Sequence, residues 1–242
     1  MNLQGKPALV TGGAHRLGKA IALALARAGA NVAIHYHSSR EQAEVTLAEL
    51  RALGVQAEAI AGDLAVVAEA ERVVDEAAAA LGGLALLVNS AGIWGKTPLG
   101  SVTEARWDEL IDTNTRSAFF TAQRAAPFLR QARGAIINIA DVGVLRPWKN
   151  YTPYLVSKGG IVTLTAALAK DLAPEVRVNA IAPGPVLLPD DWGAEERERT
   201  AKTVLLRRVG TAEDVAQAAL YLASADYVTG VILPVDGGQR LI

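Results

Sequence analysis

The chain of 242 residues contains no cysteine. Disulfide frameworks, cysteine-ligated zinc, iron–sulfur clusters and thiol nucleophiles are therefore excluded. An excess of either charge is also missing, because 24 lysine and arginine residues are balanced by 25 aspartate and glutamate residues. A nearly neutral chain has no bulk attraction to nucleic acid or to an anionic membrane. We therefore expect neither of them as a partner.

Long apolar runs are lacking as well. Residues 1–6 include no apolar segment of the kind found in a secretory signal. The longest uncharged stretch covers residues 77–95, and Gly82-Gly83 and Asn89-Ser90 divide it into a helix end and a short strand. The chain is therefore not predicted to span a membrane, and we expect it in the cytoplasm.

Short apolar runs alternate with longer amphipathic stretches along the chain. The predicted strands are residues 8–11, 31–37, 56–62, 85–89, 135–140, 177–181 and 231–235. The predicted helices are residues 17–28, 41–53, 69–81, 107–131, 154–172 and 212–223. Strands that are apolar on both faces require helices on both sides. We predict one α/β domain over residues 1–242, a Rossmann-type doubly wound sheet of about seven parallel strands with helices on both faces.

The connection after the sixth strand contains three prolines and the acidic pair Asp190 and Asp191. Ligands of an open α/β sheet bind outside the carboxyl ends of its strands. This connection leaves such an end, so we interpret residues 183–200 as a substrate loop.

A glycine-rich segment, TGGAHRLG at residues 11–18, follows the first strand and leads into a helix. Glycines at such a turn let the backbone approach a pyrophosphate, and the N-terminus of the helix supplies free N–H groups. A simple glycine-rich turn is the alternative. The spacing is TGxxxGxG with Arg16 in place of the middle glycine. It resembles the turn of the short-chain dehydrogenase/reductase family.

Tyr154 and Lys158 are four residues apart and therefore share one face of a predicted helix. A tyrosine with the ordinary pKa of about 10 is a weak proton donor near neutrality, and an adjacent ammonium group lowers that pKa. The pair is therefore a candidate proton donor. A surface tyrosine beside a solvated lysine is the alternative.

Further motifs resemble the same family in order and spacing: Asp63-Leu64, Asn89-Ser90-Ala91-Gly92, Asn114, NAIAPG at 179–184 and VDGG at 235–238. Ser90 replaces the second asparagine of the usual Asn-Asn-Ala-Gly. The resemblance implies a nicotinamide cofactor and a catalytic set that includes Tyr154, Lys158 and Asn114, with Asn114 positioning a water molecule. The cofactor contacts that it implies are Gly12, His15, Arg16, Leu17, Asp63, Leu64, Asn89, Ala91, Gly92, Lys158, Pro183 and Gly184.

Residue 141 points to one branch of this family. Thirteen positions before the tyrosine, the family usually has a serine that donates a hydrogen bond to a substrate carbonyl, but this chain has Asp141. An ionised carboxylate only accepts hydrogen bonds, so it suits a substrate that carries N–H groups. Capping of a turn is the alternative. Together with Arg16, Asp141 resembles the pteridine reductase branch.

No acidic residue ends the second strand, which continues as His35-Tyr36-His37-Ser38-Ser39-Arg40. A carboxylate there would bind the free ribose 2′-hydroxyl of NAD, whereas neutral and cationic groups suit the 2′-phosphate of NADPH. The segment resembles the one that holds this phosphate in pteridine reductases, although Ser38 stands where some of them have arginine. The candidate phosphate ligands are His37, Ser38, Ser39 and Arg40. A metal ion held by His35 and His37 is the alternative.

Trp94 resembles the aromatic residue of that branch that stacks on the pterin ring, a contact that favours flat heteroaromatic substrates. A core position is the alternative for this tryptophan. The loop after the sixth strand also resembles the substrate loop of the branch. The expected substrate contacts are Arg16, Trp94, Asp141, Tyr154, Leu187 and Trp192.

We therefore expect an NADPH-dependent reductase of a C=N bond in a dihydropterin or dihydrofolate, with Asp141, Tyr154, Lys158 and Asn114 as catalytic residues. One alternative is a carbonyl reductase, such as a 3-oxoacyl-[acyl-carrier-protein] reductase, in which Asp141 is incidental. A second is a non-catalytic NADPH-binding sensor. The resemblance also implies a homo-oligomer, a tetramer, and no metal ion is predicted.

Overall fold

Strands and helices alternate as the apolar pattern predicts. The computed structural model describes residues 1–188 and 192–242. The strands are β1 (Pro7–Thr11), β2 (Asn31–Tyr36), β3 (Ala57–Ala61), β4 (Leu86–Asn89), β5 (Ala135–Ile139), β6 (Arg177–Pro183) and β7 (Ile232–Val235). The helices are α1 (Arg16–Arg27), α2 (Arg40–Ala52), α3 (Val67–Leu81), α4 (Glu104–Ile111), α5 (Ser117–Ala132), α6 (Thr152–Leu172), α7 (Ala194–Lys202) and α8 (Ala212–Ser224).

All seven strands form one parallel sheet in the order β3-β2-β1-β4-β5-β6-β7. The chain runs outward from β1 to β3, returns to the centre, and continues outward from β4 to β7. The crevice between β1 and β4 is therefore the point at which the strand order reverses, where open α/β sheets bind their ligands. The predicted doubly wound Rossmann-type fold is confirmed.

Alternating residues of the central strands supply two separate cores. Val10 and Ile137 belong to the core that α1, α2 and α8 cover. Their neighbours Leu9 and Ile136 belong to the opposite core, which α3, α5 and α6 cover. Because both faces are apolar, the strands lack the alternation of polar and apolar residues that is typical of a half-exposed sheet.

Two helical regions differ from the prediction. The predicted helix over 107–131 is interrupted by a π-helical turn, Asp112–Arg116, that separates α4 from α5. The predicted loop over 183–200 is wrong for its last part, because α7 begins at Ala194. No residue of α7 is buried, so its sequence carries no apolar periodicity, and ion pairs such as Lys202–Glu198 at 2.8 Å stabilise its surface instead.

Among residues 1–188 and 192–242, no helix is both long and apolar enough to cross a bilayer.

A buried polar cluster lies under the central strands. The Asn138 side chain accepts a hydrogen bond from Asn89 Nδ2 at 3.0 Å and donates one to Thr165 Oγ1 at 2.9 Å. Thr121 Oγ1 in turn donates to Asn89 Oδ1 at 2.8 Å. Buried polar groups are tolerated when every partner is supplied within the protein. The cluster therefore links β4 and β5 to α5 and α6.

Asn138→Leu should lower the free energy of unfolding by about 3 kcal/mol, because it removes the buried hydrogen bonds of Asn138 to the Asn89 amide and the Thr165 hydroxyl and puts a branched apolar side chain among polar groups. Thermal and urea unfolding measure this loss. Thr165→Val removes a single hydroxyl from the same cluster and should cost about 1 kcal/mol. Equal stability of wild type and Asn138→Leu would contradict the assigned hydrogen bonds.

Candidate active site

Three ionisable side chains meet at the carboxyl end of β5. Asp141 follows the strand, and Tyr154 and Lys158 project from α6 one turn apart. The Tyr154 hydroxyl donates to Asp141 Oδ2 at 2.7 Å, and Lys158 Nζ donates to the Ile139 carbonyl oxygen at 2.8 Å. Tyr154 and Lys158 are 5% and 6% exposed. The surface-tyrosine alternative is therefore wrong.

The two oxygens of Asp141 have different partners. Oδ1 accepts a hydrogen bond from the Gly143 N–H at 2.7 Å and so caps the short helical turn Val142–Val144. Oδ2 accepts from Tyr154. The turn-capping interpretation is correct for one oxygen, and the other remains directed at the candidate proton donor.

The contacts of Tyr154 do not favour the expected lowering of its pKa by Lys158. Burial and the adjacent Asp141 carboxylate raise the pKa of Tyr154 well above its ordinary value. The phenol touches the carboxylate directly, whereas the ammonium group bonds to a main-chain oxygen. Burial also raises the pKa of Asp141, against the opposing effects of Tyr154, Gly143 and Lys158. It lowers the pKa of Lys158 to about 8, against the opposing effect of Asp141.

A cleft of about 850 Å³ opens above these three side chains. It brings together the following residues from the predicted site: Arg16, Leu17, Trp94, Asp141, Tyr154, Lys158, Pro183, Gly184, Leu187 and Trp192. Arg16 crosses part of the cleft, because its guanidinium donates to the Leu187 carbonyl oxygen at 3.0 Å. The acidic pair Asp190 and Asp191 lies outside the described residues.

An aromatic wall closes one side of the cleft. Trp94 is 48% exposed, so it is not a core residue, and its ring stacks on Tyr151 with centroids 5.3 Å apart. Trp148 meets Tyr151 edge to face at 5.8 Å. Trp148 and Tyr151 are not among the predicted site residues, although two aromatic residues shortly before Tyr154 were an available signal.

The glycine-rich turn lies between β1 and α1. Gly12 has a φ of +63°, and a Cβ there would lie 2.9 Å from Ala91 Cα. A Cβ at Gly18 would overlap the Gly12 carbonyl oxygen. Thr11 Oγ1 accepts from the N–H groups of Ser90 and Ala91 at 3.0 Å each. The glycines therefore allow a close approach of this turn to the segment after β4.

Arg16 also has a left-handed backbone, with a φ of +52°. This conformation explains why glycine is usual at that position of the motif, since glycine adopts it without steric cost. His15 is exposed at the N-terminal end of α1.

The candidate phosphate ligands lie where β2 leads into α2. His37, Ser38 and Arg40 are exposed and Ser39 is partly buried. Arg40 is already paired, because its Nε donates to Glu44 Oε1 at 3.0 Å. After β3, Asp63 Oδ1 accepts from the Ala65 N–H at 3.0 Å, and Leu64 is buried.

The contacts of His35 do not favour a metal ion shared with His37. His35 is buried, and its two ring nitrogens face the Gly12 N–H at 3.2 Å and the Gly62 carbonyl oxygen at 3.0 Å. Across residues 1–188 and 192–242, no group of three or more side chains could hold a metal ion.

The asparagine side chains serve the scaffold. Asn114, in the π-helical turn, accepts from the Ile93 N–H at 2.7 Å and donates to the Ile93 carbonyl oxygen and to Ser157 Oγ. Asn89 is likewise committed to the buried polar cluster. The side-chain groups of Asn114 thus have partners within the protein, and its water-positioning role stays a prediction. Gly92 lies close by, since a Cβ there would be 3.4 Å from Lys158 Nζ.

Known proteins resemble the chain over almost its whole length. The family described as enoyl-(acyl carrier protein) reductase matches residues 12–240. A 3-oxoacyl-[acyl-carrier-protein] reductase FabG from Staphylococcus aureus strain Mu50 is 38% identical and covers 98% of both chains. A short chain dehydrogenase from Burkholderia cenocepacia J2315 in complex with NADP has a TM-score of 0.93 at 34% identity, covering 99% of this chain and all of its own. A blue fluorescent protein from a metagenomic library, in complex with NADPH, has a TM-score of 0.93 at 35% identity and 99% coverage of both chains.

Lys158→Met should raise the melting temperature of the cofactor-free protein at pH 7, because it removes a buried ammonium group. The pKa of Lys158 in the folded protein, about 8, lies below the ordinary value of 10.5. The free-energy cost of burying its charge is therefore full below pH 8 and disappears by about pH 10.5. The difference in melting temperature between Lys158→Met and wild type should become smaller from pH 8 to pH 10.5, as measured by thermal unfolding followed by circular dichroism. Lys170→Met, at an exposed position of α6, is the control. A lower melting temperature at pH 7 would mean that the bond to Ile139 outweighs the burial cost.

Proposed function

Because the chain belongs to the short-chain dehydrogenase/reductase family, we propose that it is an NADPH-dependent reductase of a small molecule. The names of two structural neighbours that hold NADP or NADPH support the cofactor. The chain's own residues support it independently, as the turn after β1 and the end of β2 indicate.

The residues present fit NADP(H). The glycine-rich turn is packed so closely that Cβ atoms at Gly12 and Gly18 would collide with backbone, and the first turn of α1 offers N–H groups to a pyrophosphate. The end of β2 presents His37, Ser38, Ser39 and Arg40 without a carboxylate, which suits a 2′-phosphate. Glu44, the partner of Arg40, would compete for the guanidinium.

Two substrate classes remain, and they are supported by different observations. The names of the curated relatives favour reduction of a 3-oxoacyl carbonyl over reduction of a pterin. The chemistry of Asp141 favours reduction of a pterin over reduction of a 3-oxoacyl carbonyl. A ketone offers only an acceptor oxygen, and an ionised carboxylate has no hydrogen to donate to it.

The hydrogen bond from Tyr154 to Asp141 is the observation that carries the pterin proposal. Asp141 is the acceptor and Tyr154 the proton donor. A pterin ring matches this pair, because it presents an N–H group next to the ring nitrogen that is protonated. The stacked rings of Trp94 and Tyr151 provide a flat wall along the cleft, and flat heteroaromatic rings gain offset stacking there. We therefore propose reduction of a C=N bond in a dihydropterin or dihydrofolate, with 3-oxoacyl reduction as the second candidate.

The proton path follows from the contacts. The nicotinamide would supply the hydride to the substrate carbon. Tyr154 holds the proton because Asp141 and burial raise its pKa. A substrate N–H that bonds to Asp141 would weaken that effect and favour proton transfer from the Tyr154 hydroxyl to the ring nitrogen. Lys158, whose Nζ lies near Gly92, would bind the nicotinamide ribose and stabilise the phenolate that is left.

Other expectations remain predictions. They are the tetramer, the cytoplasmic location, the substrate role of the segment after β6, and the individual cofactor contacts.

NADPH should be preferred over NADH at least tenfold, because one charge-assisted hydrogen bond to the 2′-phosphate contributes about 1.5–3 kcal/mol. Arg40→Ala should lower the ratio of kcat/KM for NADPH to kcat/KM for NADH, which measures this preference. Arg27→Ala removes an exposed cation at the far end of α1 and should leave it unchanged. Equal or better use of NADH by the wild type would refute the assignment of the β2 end.

Asp141→Ser should reduce kcat/KM for dihydrobiopterin at least about tenfold, the scale of one charge-assisted hydrogen bond, and leave that for an acetoacetyl thioester level or higher. Steady-state kinetics of both variants on both substrates measure this divergence. If the wild type prefers the thioester and Asp141→Ser hardly alters pterin turnover, the carbonyl reductase is the correct function.

Tyr154→Phe should lower turnover of either substrate by orders of magnitude while NADPH binding persists, because only the proton donor is removed. This variant also tests the sensor alternative, which predicts NADPH binding by the wild type without turnover of either substrate. Near-normal turnover by Tyr154→Phe would remove Tyr154 from the mechanism.

A further inference from the structure

One buried histidine of β2 joins the segments that follow the two neighbouring strands, β1 and β3. His35 Nδ1 lies 3.2 Å from the Gly12 N–H, and Nε2 lies 3.0 Å from the Gly62 carbonyl oxygen. Its main-chain oxygen accepts from the Gly13 N–H at 2.9 Å. The residue is 3% exposed. His35 therefore contacts Gly12 through its ring and Gly13 through its main-chain oxygen.

These contacts require one protonation state. The Gly12 N–H can only donate, so Nδ1 must accept, and the Gly62 carbonyl can only accept, so Nε2 must carry the hydrogen. An imidazolium ion has no acceptor and would lose the bond to Gly12. Only the neutral ring with its hydrogen on Nε2 satisfies both neighbours.

The surroundings keep the ring neutral. Burial lowers the pKa of His35 to about 4, with His37 and Arg72 acting in the same direction. The Gly62 carbonyl and Asp63 oppose this shift. At neutral pH the acceptor that Gly12 needs is therefore present.

The opposite flank of the turn is held by a different side chain. Thr11 Oγ1 accepts from Ser90 and Ala91 after β4, and Gly12 approaches Ala91 closely. The turn is thus tied to β4 through Thr11 and to β2 and β3 through His35. Hydrogen bonds thus hold both flanks of the turn just before α1 begins.

We propose that His35 is a positioning residue for the cofactor, which holds the glycine-rich turn so that the N-terminus of α1 faces the pyrophosphate. This inference rests on the proposed binding of NADPH. His35 does not itself reach the cofactor, because its ring nitrogens are occupied by Gly12 and Gly62. It acts through the backbone of Gly12.

Two substitutions separate the two ring contacts. In His35→Asn, the amide oxygen can occupy the place of Nδ1 and accept the hydrogen bond from Gly12, but the hydrogen bond to the Gly62 carbonyl oxygen is lost. In His35→Gln, the longer side chain can place its amide nitrogen near the position of Nε2 and donate to the Gly62 carbonyl oxygen, but the hydrogen bond from Gly12 is lost. Ile136→Val, a core substitution away from the turn, is the control for reduced stability alone.

The test measures the Kd of NADPH by fluorescence titration, kcat at saturating NADPH, and amide hydrogen exchange of residues 12–18 without cofactor. His35→Gln should raise the Kd at least about tenfold and speed the exchange, whereas His35→Asn should stay within about threefold of wild type. Both variants should keep kcat within about threefold, since the catalytic groups are untouched. Ile136→Val should change neither the Kd nor the exchange.

Several outcomes would overturn the proposal. Unchanged NADPH affinity in His35→Gln would do so, as would an equal loss in Ile136→Val. If the wild type itself fails to bind NADPH, the proposed function falls first, and the inference falls with it. If neither histidine variant folds, nitrogen chemical shifts of the wild-type imidazole decide: hydrogen on Nε2 supports the proposal, and hydrogen on Nδ1 overturns it.

Discussion

A parallel sheet that is apolar on both faces can exist in water only when helices cover both faces. In this protein the two cores on either side of β1, β4 and β5 meet that requirement. Right-handed crossovers then bring every strand back in the same direction, so all seven carboxyl ends meet at one edge. Polar side chains that follow the strands are therefore gathered at this edge.

The ionisable side chains at that edge oppose the stability of the fold. Asp141, Tyr154 and Lys158 are each shifted by burial toward the neutral form. Such shifts cost folding free energy, and they are common where catalysis needs groups that exchange protons near neutral pH. Hydrogen bonds to Gly143 and Ile139 offset part of the cost. The site is thus built on the end of β5 and the first turns of α6.

Much of the architecture was available from local pattern. The order of strands and helices, their bounds to within a few residues, and the pairing of Tyr154 with Lys158 on one helical face all follow from periodicity and spacing. The π-helical turn at Asn114 and the surface helix α7 were missed. The first depends on hydrogen bonds to distant Ile93 and Ser157, and the second buries no apolar stripe from which to predict it.

The sequence by itself determined the fold class, the family resemblance and the residue types available for chemistry, because these depend on composition, periodicity and the spacing of motifs. Only the tertiary structure decided which groups each side chain contacts. Tyr154 bonds to the Asp141 carboxylate and not to the Lys158 ammonium group. Arg40 bonds to the Glu44 carboxylate, and His35 bonds to the glycine-rich turn. Hydrogen bonds and pKa values depend on distances of a few ångströms between residues far apart in the chain. Those distances are set by the packing of the sheet and its helices, and no local pattern records them.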